Sequence, residues 1–200
     1  MAAESSAATE VRTFFSDYGV SAMTQDNLIA VLEAGGTIDS MEEDAAPVSS
    51  RTQTKDGYDT TIDTFADGSI MVRDLQVATE APEGSVGARA ITECSLTNGG
   101  GYALYDDCLI RQSNGTTSLS FRADYQRYTG GAQITRADTA KVSAVYGEAS
   151  APTVSIVNGT SVGATEAVAT AHSRLTASAS SEDLYLSLRV TSDQAYSTDF

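Results

Sequence analysis

Residues 51–77, RTQTKDGYDTTIDTFADGSIMVRDLQV, read as three strands joined by two tight turns. Asp56-Gly57 and Asp67-Gly68 are the turns, and between them Tyr58 to Phe65 alternates through Thr60, Ile62 and Thr64. Asp-Gly between alternating segments is the strongest short-range hairpin signal, because both residues tolerate the positive φ that a two-residue turn requires. So short a connection can only join antiparallel strands. The stretch is therefore an antiparallel meander.

The same grammar continues toward the C-terminus. In Thr117 to Tyr128, Leu119, Phe121, Ala123 and Tyr125 share one face, and Ser118, Ser120, Arg122 and Asp124 the other, as in a half-buried strand. Gly130-Gly131 turns the chain, and further strand segments follow at Ile134, Val142–Tyr146, Pro152–Val157, Ala164–Ala177 and Leu184–Val190. Asn158-Gly159 and Ser180 to Asp183 supply turns, and 80–87 reads as a loop. Eight to ten short strands with this turn chemistry imply a mainly β fold, an antiparallel β-sandwich or flattened barrel. The βαβ alternation of a parallel sheet is missing.

Working back from residue 51 the pattern changes. Val11, Phe14, Phe15 and Tyr18 stand at i, i+3, i+4 and i+7, one helical stripe closed by Gly19. A second helix is expected from an N-cap at Thr24 through Leu28, Ile29, Val31 and Leu32, ending where Gly35 can adopt the left-handed conformation. The expected organisation is an N-terminal helical segment at 1–36, packed as a pair on the β domain, an acidic and partly mobile linker at 37–50, and the antiparallel β domain at 51–200.

Cys94 and Cys108, the only cysteines, lie nearly symmetrically about Gly101 in a Gly-rich turn. In a hairpin centred there they would face each other as a cross-strand disulfide. Two thiolates with neither a His nor a second Cys pair nearby cannot fill a tetrahedral metal shell. A disulfide and a composition rich in Thr, Ser, Ala and Gly point to a secreted, extracellular chain whose signal peptide an initiator Met has replaced.

With 27 acidic and 12 basic side chains the 200-residue chain carries −15, which repels a phosphate backbone and sets nucleic acid aside as a partner. No apolar run reaches the roughly 18 residues of a membrane-spanning helix. Gly159-Thr-Ser161-Val-Gly163 has the pattern of a hydrolase nucleophile elbow, yet the single histidine, His172, follows too closely and the α/β framework of that elbow is absent. The acid groups Glu42-Glu43-Asp44, Asp56 with Asp59, Asp106-Asp107 and Glu182-Asp183 lack fixed ligand spacing, so no metal and no cofactor is expected; Asp106-Asp107 is the place to look for calcium. Asn114-Gly-Thr116 and Asn158-Gly-Thr160 match the glycosylation sequon but read as turns.

Tyrosines are the remaining functional material, since the ring gives apolar area and the hydroxyl a polar handle. Tyr102, Tyr105, Tyr125 and Tyr128 are the candidate binding residues. The order Leu28–Gly35, Ile38-Asp-Ser-Met41, Pro47-Val-Ser49, Phe65–Ile70, Cys94…Gly101-Tyr102…Cys108, Ser118–Asp124 and Leu184–Arg189 resembles a group of secreted actinobacterial proteins that carry no assigned activity. That resemblance implies export and a helix-plus-β layout, and transfers no functional residue. The expected function is non-catalytic recognition of a protein or a cell-surface glycan by a monomer or weak oligomer. The alternatives are a secreted hydrolase using carboxylates or Ser161, and a self-assembling structural or toxin-like protein.

Overall fold

The computed structural model describes residues 5–42, 44–80, 94–176 and 181–199. Two helices come first, α1 (Ser6–Asp17) and α2 (Ala22–Glu33), followed by a 3₁₀ turn at Asp39–Met41. The strands are β1 (Ser49–Lys55), β2 (Tyr58–Thr64), β3 (Ile70–Gln76), β4 (Thr79–Glu80), β5 (Ser95–Gly99), β6 (Tyr102–Ser113) and β7 (Thr117–Tyr128). They continue with β8 (Gly131–Ala144), β9 (Glu148–Ala149), β10 (Thr153–Asn158), β11 (Thr160–Val162), β12 (Ala167–Thr176), β13 (Ser181–Val190) and β14 (Ala195–Thr198).

One sheet runs β1-β2-β3-β6-β7-β8-β11, with β5 alongside β6 and β4 alongside β5; the other runs β10-β12-β13-β14, with β9 on β12. Pairing is antiparallel except for the two-residue β4–β5 contact. Both sheets are open, so the fold is a mainly β, antiparallel sandwich with an N-terminal helical pair, not a flattened barrel.

Strict alternation builds the core between the sheets. Leu119, Phe121, Ala123 and Tyr125 of β7 point inward together, and β12 answers with Ala167, Ala169 and Ala171 while β13 adds Leu184, Leu186 and Leu188. Small residues on β12 leave room for the buried Phe121, so large and small side chains interdigitate. The other face of the first sheet is covered at one end by the helices. Val11 and Phe15 of α1, Leu28, Ile29 and Leu32 of α2, and Ile62, Ile70 and Val72 of the sheet form one cluster, which Ile38 of the connector joins. The helical stripe read from the sequence is thus buried on the sheet. Ser21, three residues before the expected Thr24, caps α2, because its hydroxyl accepts the Thr24 amide hydrogen.

The disulfide Cys94–Cys108 is formed. Its register differs by one residue from symmetry about Gly101: Gly99 pairs with Tyr102, so the β5–β6 hairpin is centred between Gly100 and Gly101. A bulge between Tyr105 and Cys108, with Asp107 at φ 59°, supplies the extra residue that brings Cys108 round to Cys94. Bulges also explain why β8 is one long strand and not separate segments near Ile134 and Val142. Register shifts opposite Ser120–Arg122 and Asp124–Tyr125, with Thr139 at φ 54°, interrupt its period-2 pattern. Strand β13 starts at Ser181, inside the stretch read as a turn at 180–183. Asn158-Gly159 carries the chain from one sheet to the other. The loop expected at 80–87 lies outside the described residues beyond Glu80.

Candidate functional site

The four candidate tyrosines fall on two faces. Tyr105 and Tyr125 pair directly across β6 and β7 and stack with ring centroids 4.5 Å apart, Tyr125 being a core residue at 4% exposure. Burial, its largest cause, raises the Tyr125 pKa well above the phenol range. Arg127 lies over the Tyr105 ring, donates to the Tyr105 hydroxyl and donates to the Asp193 carbonyl at 2.7 Å. This inner pair therefore ties the hairpin tips to the 191–194 turn of the second sheet; it props the end of the sandwich.

Tyr102 and Tyr128 also pair directly across β6 and β7, but on the outward face, three residues out of phase with the buried pair. Tyr102 is 45% exposed and Tyr128 half-buried. Each ring lies over a glycine of the next strand. A Cβ on Gly99 would sit 2.2 Å from Tyr102 Cζ, and one on Gly131 would sit 2.9 Å from Tyr128 Cε2. Gly99, Tyr102, Tyr128 and Gly131 thus form one row across β5, β6, β7 and β8. The next outward row carries Gln126 and Gln133, hydrogen-bonded at 2.8 Å. At the strand ends an open depression of about 430 Å³ lies between Gly101, Thr129, Gly130 and Ser192. An exposed aromatic row edged by amide and hydroxyl groups, with Arg127 and Asp193 at the end depression, can stack and hydrogen-bond.

Farther along the outward face the charges neutralise one another. The Asp107 carboxylate is held by Arg122 at 2.8 Å and Arg136 at 2.9 Å, while Arg136 also grips Asp124 and Asp138. Hydrogen bonds to these carboxylates, Asp124 first, raise the Arg136 pKa still further above its ordinary value. The Asp138 carboxyl is held below its ordinary value by Arg136. With both Asp107 oxygens already on guanidinium groups, the bulge is a structural clamp and a poor calcium ligand. Among the described residues no group of three or more His, Cys, Asp or Glu side chains is placed to hold a metal.

Ser161 sits inside β11 with its side chain buried, and Gly163 is followed by the β12 strand, so no strand-to-helix elbow exists there. His172 bonds Asp183 at 2.9 Å and packs against Tyr185. Asn114, 2% exposed, accepts from the backbone and hydroxyls of Thr116 and Thr117 and donates to the Ser40 carbonyl, so its amide locks a turn. Asn158 donates to the carbonyls of Thr160 and Glu166.

Sequence reasoning missed the glycine partners of the tyrosines, since their contact depends on hairpin register. It also missed Gln112, whose signal was present: Cys108, Ile110 and Gln112 alternate onto the core face of β6. Among the described residues no helix is long and apolar enough to cross a membrane. No known family model, curated protein or solved structure matches this chain.

Proposed function

We propose that the protein is a non-catalytic extracellular binding module, and that the Tyr102–Tyr128 row recognises a neutral cell-surface glycan. The observation that carries this reading is the cross-strand pair of outward tyrosines, each lying over a glycine. A sugar ring presents apolar C–H faces and an equatorial rim of hydroxyls; Tyr rings meet the first and their hydroxyls, with Gln126 and Gln133, meet the second. The net charge of −15 disfavours sulfated or uronic polymers. The row stands on rigid strands, which limits the ordering cost of binding. The disulfide supports an oxidising compartment.

A protein ligand is the second reading. It is favoured by Val157 on β10 and Val162 on β11, exposed at 66% and 67% near the edges of the two sheets. Binding of the intact protein to an array of neutral glycans tests the first reading. Signal on at least one glycan, lost in Tyr102→Ala/Tyr128→Ala with an unchanged far-UV spectrum, is expected. No glycan signal, or signal indifferent to the double substitution, overturns it; turnover of a glycan or an ester would point to the hydrolase.

A further inference from the structure

A second polar site lies between the sheets, away from the tyrosine row. There a cavity of about 90 Å³ is bounded by the connector, by β3 and β6 of one sheet, and by β13 and the C-terminal end of the other. Gln112 lines it at 5% exposure. Its Nε2 donates to the Tyr185 carbonyl at 2.8 Å, whereas Oε1 accepts no hydrogen bond among the described residues. The Ser40 hydroxyl, equally buried and lining the same space, also has no partner there. A buried carbonyl oxygen without a donor costs free energy until something supplies one.

The cavity's surroundings specify that donor. Glu42, Glu182, Asp183 and Asp199 line it, and among the described residues no Lys, Arg or His does. Asp199 is paired outside it with Arg73, and Asp183 with His172 and Arg174, but Glu42 is held only by the Thr37 hydroxyl among its described contacts. Met41, Phe65, Met71 and Leu184 make the remaining wall apolar. Acceptors therefore outnumber donors, the field is negative, and part of the surface wants hydrocarbon.

We propose that this cavity binds a primary ammonium group on an aliphatic stem, the chemistry shared by a lysine side chain and a free aliphatic amine. The ammonium brings three donors and no acceptor, one for Gln112 Oε1 and the others for carboxylate oxygens; the stem packs on Met71 and Leu184. A neutral alcohol of the same length matches the shape and lacks the charge. A volume this small holds several waters or one ammonium head with part of its stem.

Calorimetric titration of the intact protein with n-butylammonium chloride and with n-butanol tests this. Saturable binding of the ammonium, about tenfold or more tighter than the alcohol, is expected, with about a tenfold loss in Glu42→Gln and in Gln112→Met. Because Gln112→Met also removes the bond to Tyr185 and can unfold the region, Glu42→Gln decides the matter at the rim. Tighter binding of Nα-acetyl-lysine methylamide than of 1,4-diaminobutane assigns the site to a lysine side chain, and the reverse to a free amine. Equal binding of ammonium and alcohol, no saturable ammonium binding, or an affinity unchanged in Glu42→Gln overturns the proposal and leaves the cavity to water.

Discussion

Cys94 and Cys108 face each other with Cα atoms 4.2 Å apart at the point where the edge of β6 changes partner. Before it, Tyr102 to Asp106 pair with β5; beyond it, Ile110 to Ser113 pair with β3. The bridge thus fastens β5 where its own pairing ends. Closing a loop with a sequence separation of 14 restricts the unfolded chain by about 3 kcal/mol. Cys94→Ser/Cys108→Ser is expected to lose about that much in urea unfolding and to make the wild type's sensitivity to reductant disappear. An unfolding midpoint equal to that of the oxidised wild type would show that the bridge does no such work.

Arg136 is the shared cation of Asp107, Asp124 and Asp138, and its side chain is about one-third exposed. Arg136→Met keeps the stem and removes the charge-assisted bonds that Arg136 makes; Arg122 still holds Asp107, but the three acids lose the cation they share. Solvent screening keeps the expected loss at about 1–2 kcal/mol, smaller in 1 M salt than in 0.1 M. Urea midpoints at both salt concentrations measure it, and a loss independent of salt would mean packing dominates.

Gly115 links β6 to β7 at φ 88°, and a Cβ there would meet Phe14 Cδ1 at 2.6 Å. Gly115→Ala therefore strains the backbone and pushes on α1 at once. A cost of about 2 kcal/mol is expected, of which the steric part is relieved in Gly115→Ala/Phe14→Leu while the backbone part remains. Thermal unfolding of the two variants separates these contributions.

The meander at 51–77 and the face of β7 were legible because Asp-Gly turns and period-2 alternation are local. The helical pair was equally plain, since Val11 and Phe15 form a stripe that needs a partner. What was hidden depends on register. Thr139 is a β-branched residue at positive φ, which no propensity announces, and Asp107, whose type tolerates that conformation, lies inside a strand with no glycine beside it to mark a turn; the bulges they mark decide which side chains meet. Tyr102 and Tyr125 looked alike in sequence; three residues of phase put one in water and its neighbour's partner in the core. The cavity at Gln112 required both sheets to be in place, because its walls come from residues as distant as Ser40 and Asp199.

Glu166 accepts a hydrogen bond from the Tyr196 hydroxyl and a second from Arg189. The Tyr196 bond, the largest cause, holds the Glu166 carboxyl below its ordinary 4.5, and the same bond raises the Tyr196 phenol above 10. A depressed carboxyl contributes stability that is present above its unfolded pKa and lost as pH falls through the folded one. A raised phenol contributes stability that is present below its unfolded pKa and lost as pH rises through the folded one. Tyr196→Phe is therefore expected to lower stability at pH 7 and to remove these parts of the acid and alkaline falls. In an NMR titration the Glu166 side-chain carbon should titrate higher in the variant; an unchanged midpoint would assign the depression to Arg189 instead.

The two glycines beneath the tyrosine row respond differently to a methyl group. At Gly131 a Cβ would meet the Ser161 carbonyl at 2.6 Å, backbone that cannot step aside, so Gly131→Ala is expected to destabilise the β8–β11 edge. At Gly99 the nearest atoms a Cβ would meet belong to the far end of the Tyr102 ring, and the backbone there is open to any L residue. Gly99→Ala should therefore leave stability within about 1 kcal/mol of the wild type, the gain from a stiffer unfolded chain offsetting the lost ring contact. The ring must still rotate off the strand. Greater reactivity of Tyr102 toward tetranitromethane, read by peptide mass mapping, is the expected signature, with weaker glycan binding if the row needs both rings lying flat. Unchanged reactivity at Tyr102 would mean that the ring does not rest on Gly99 in solution.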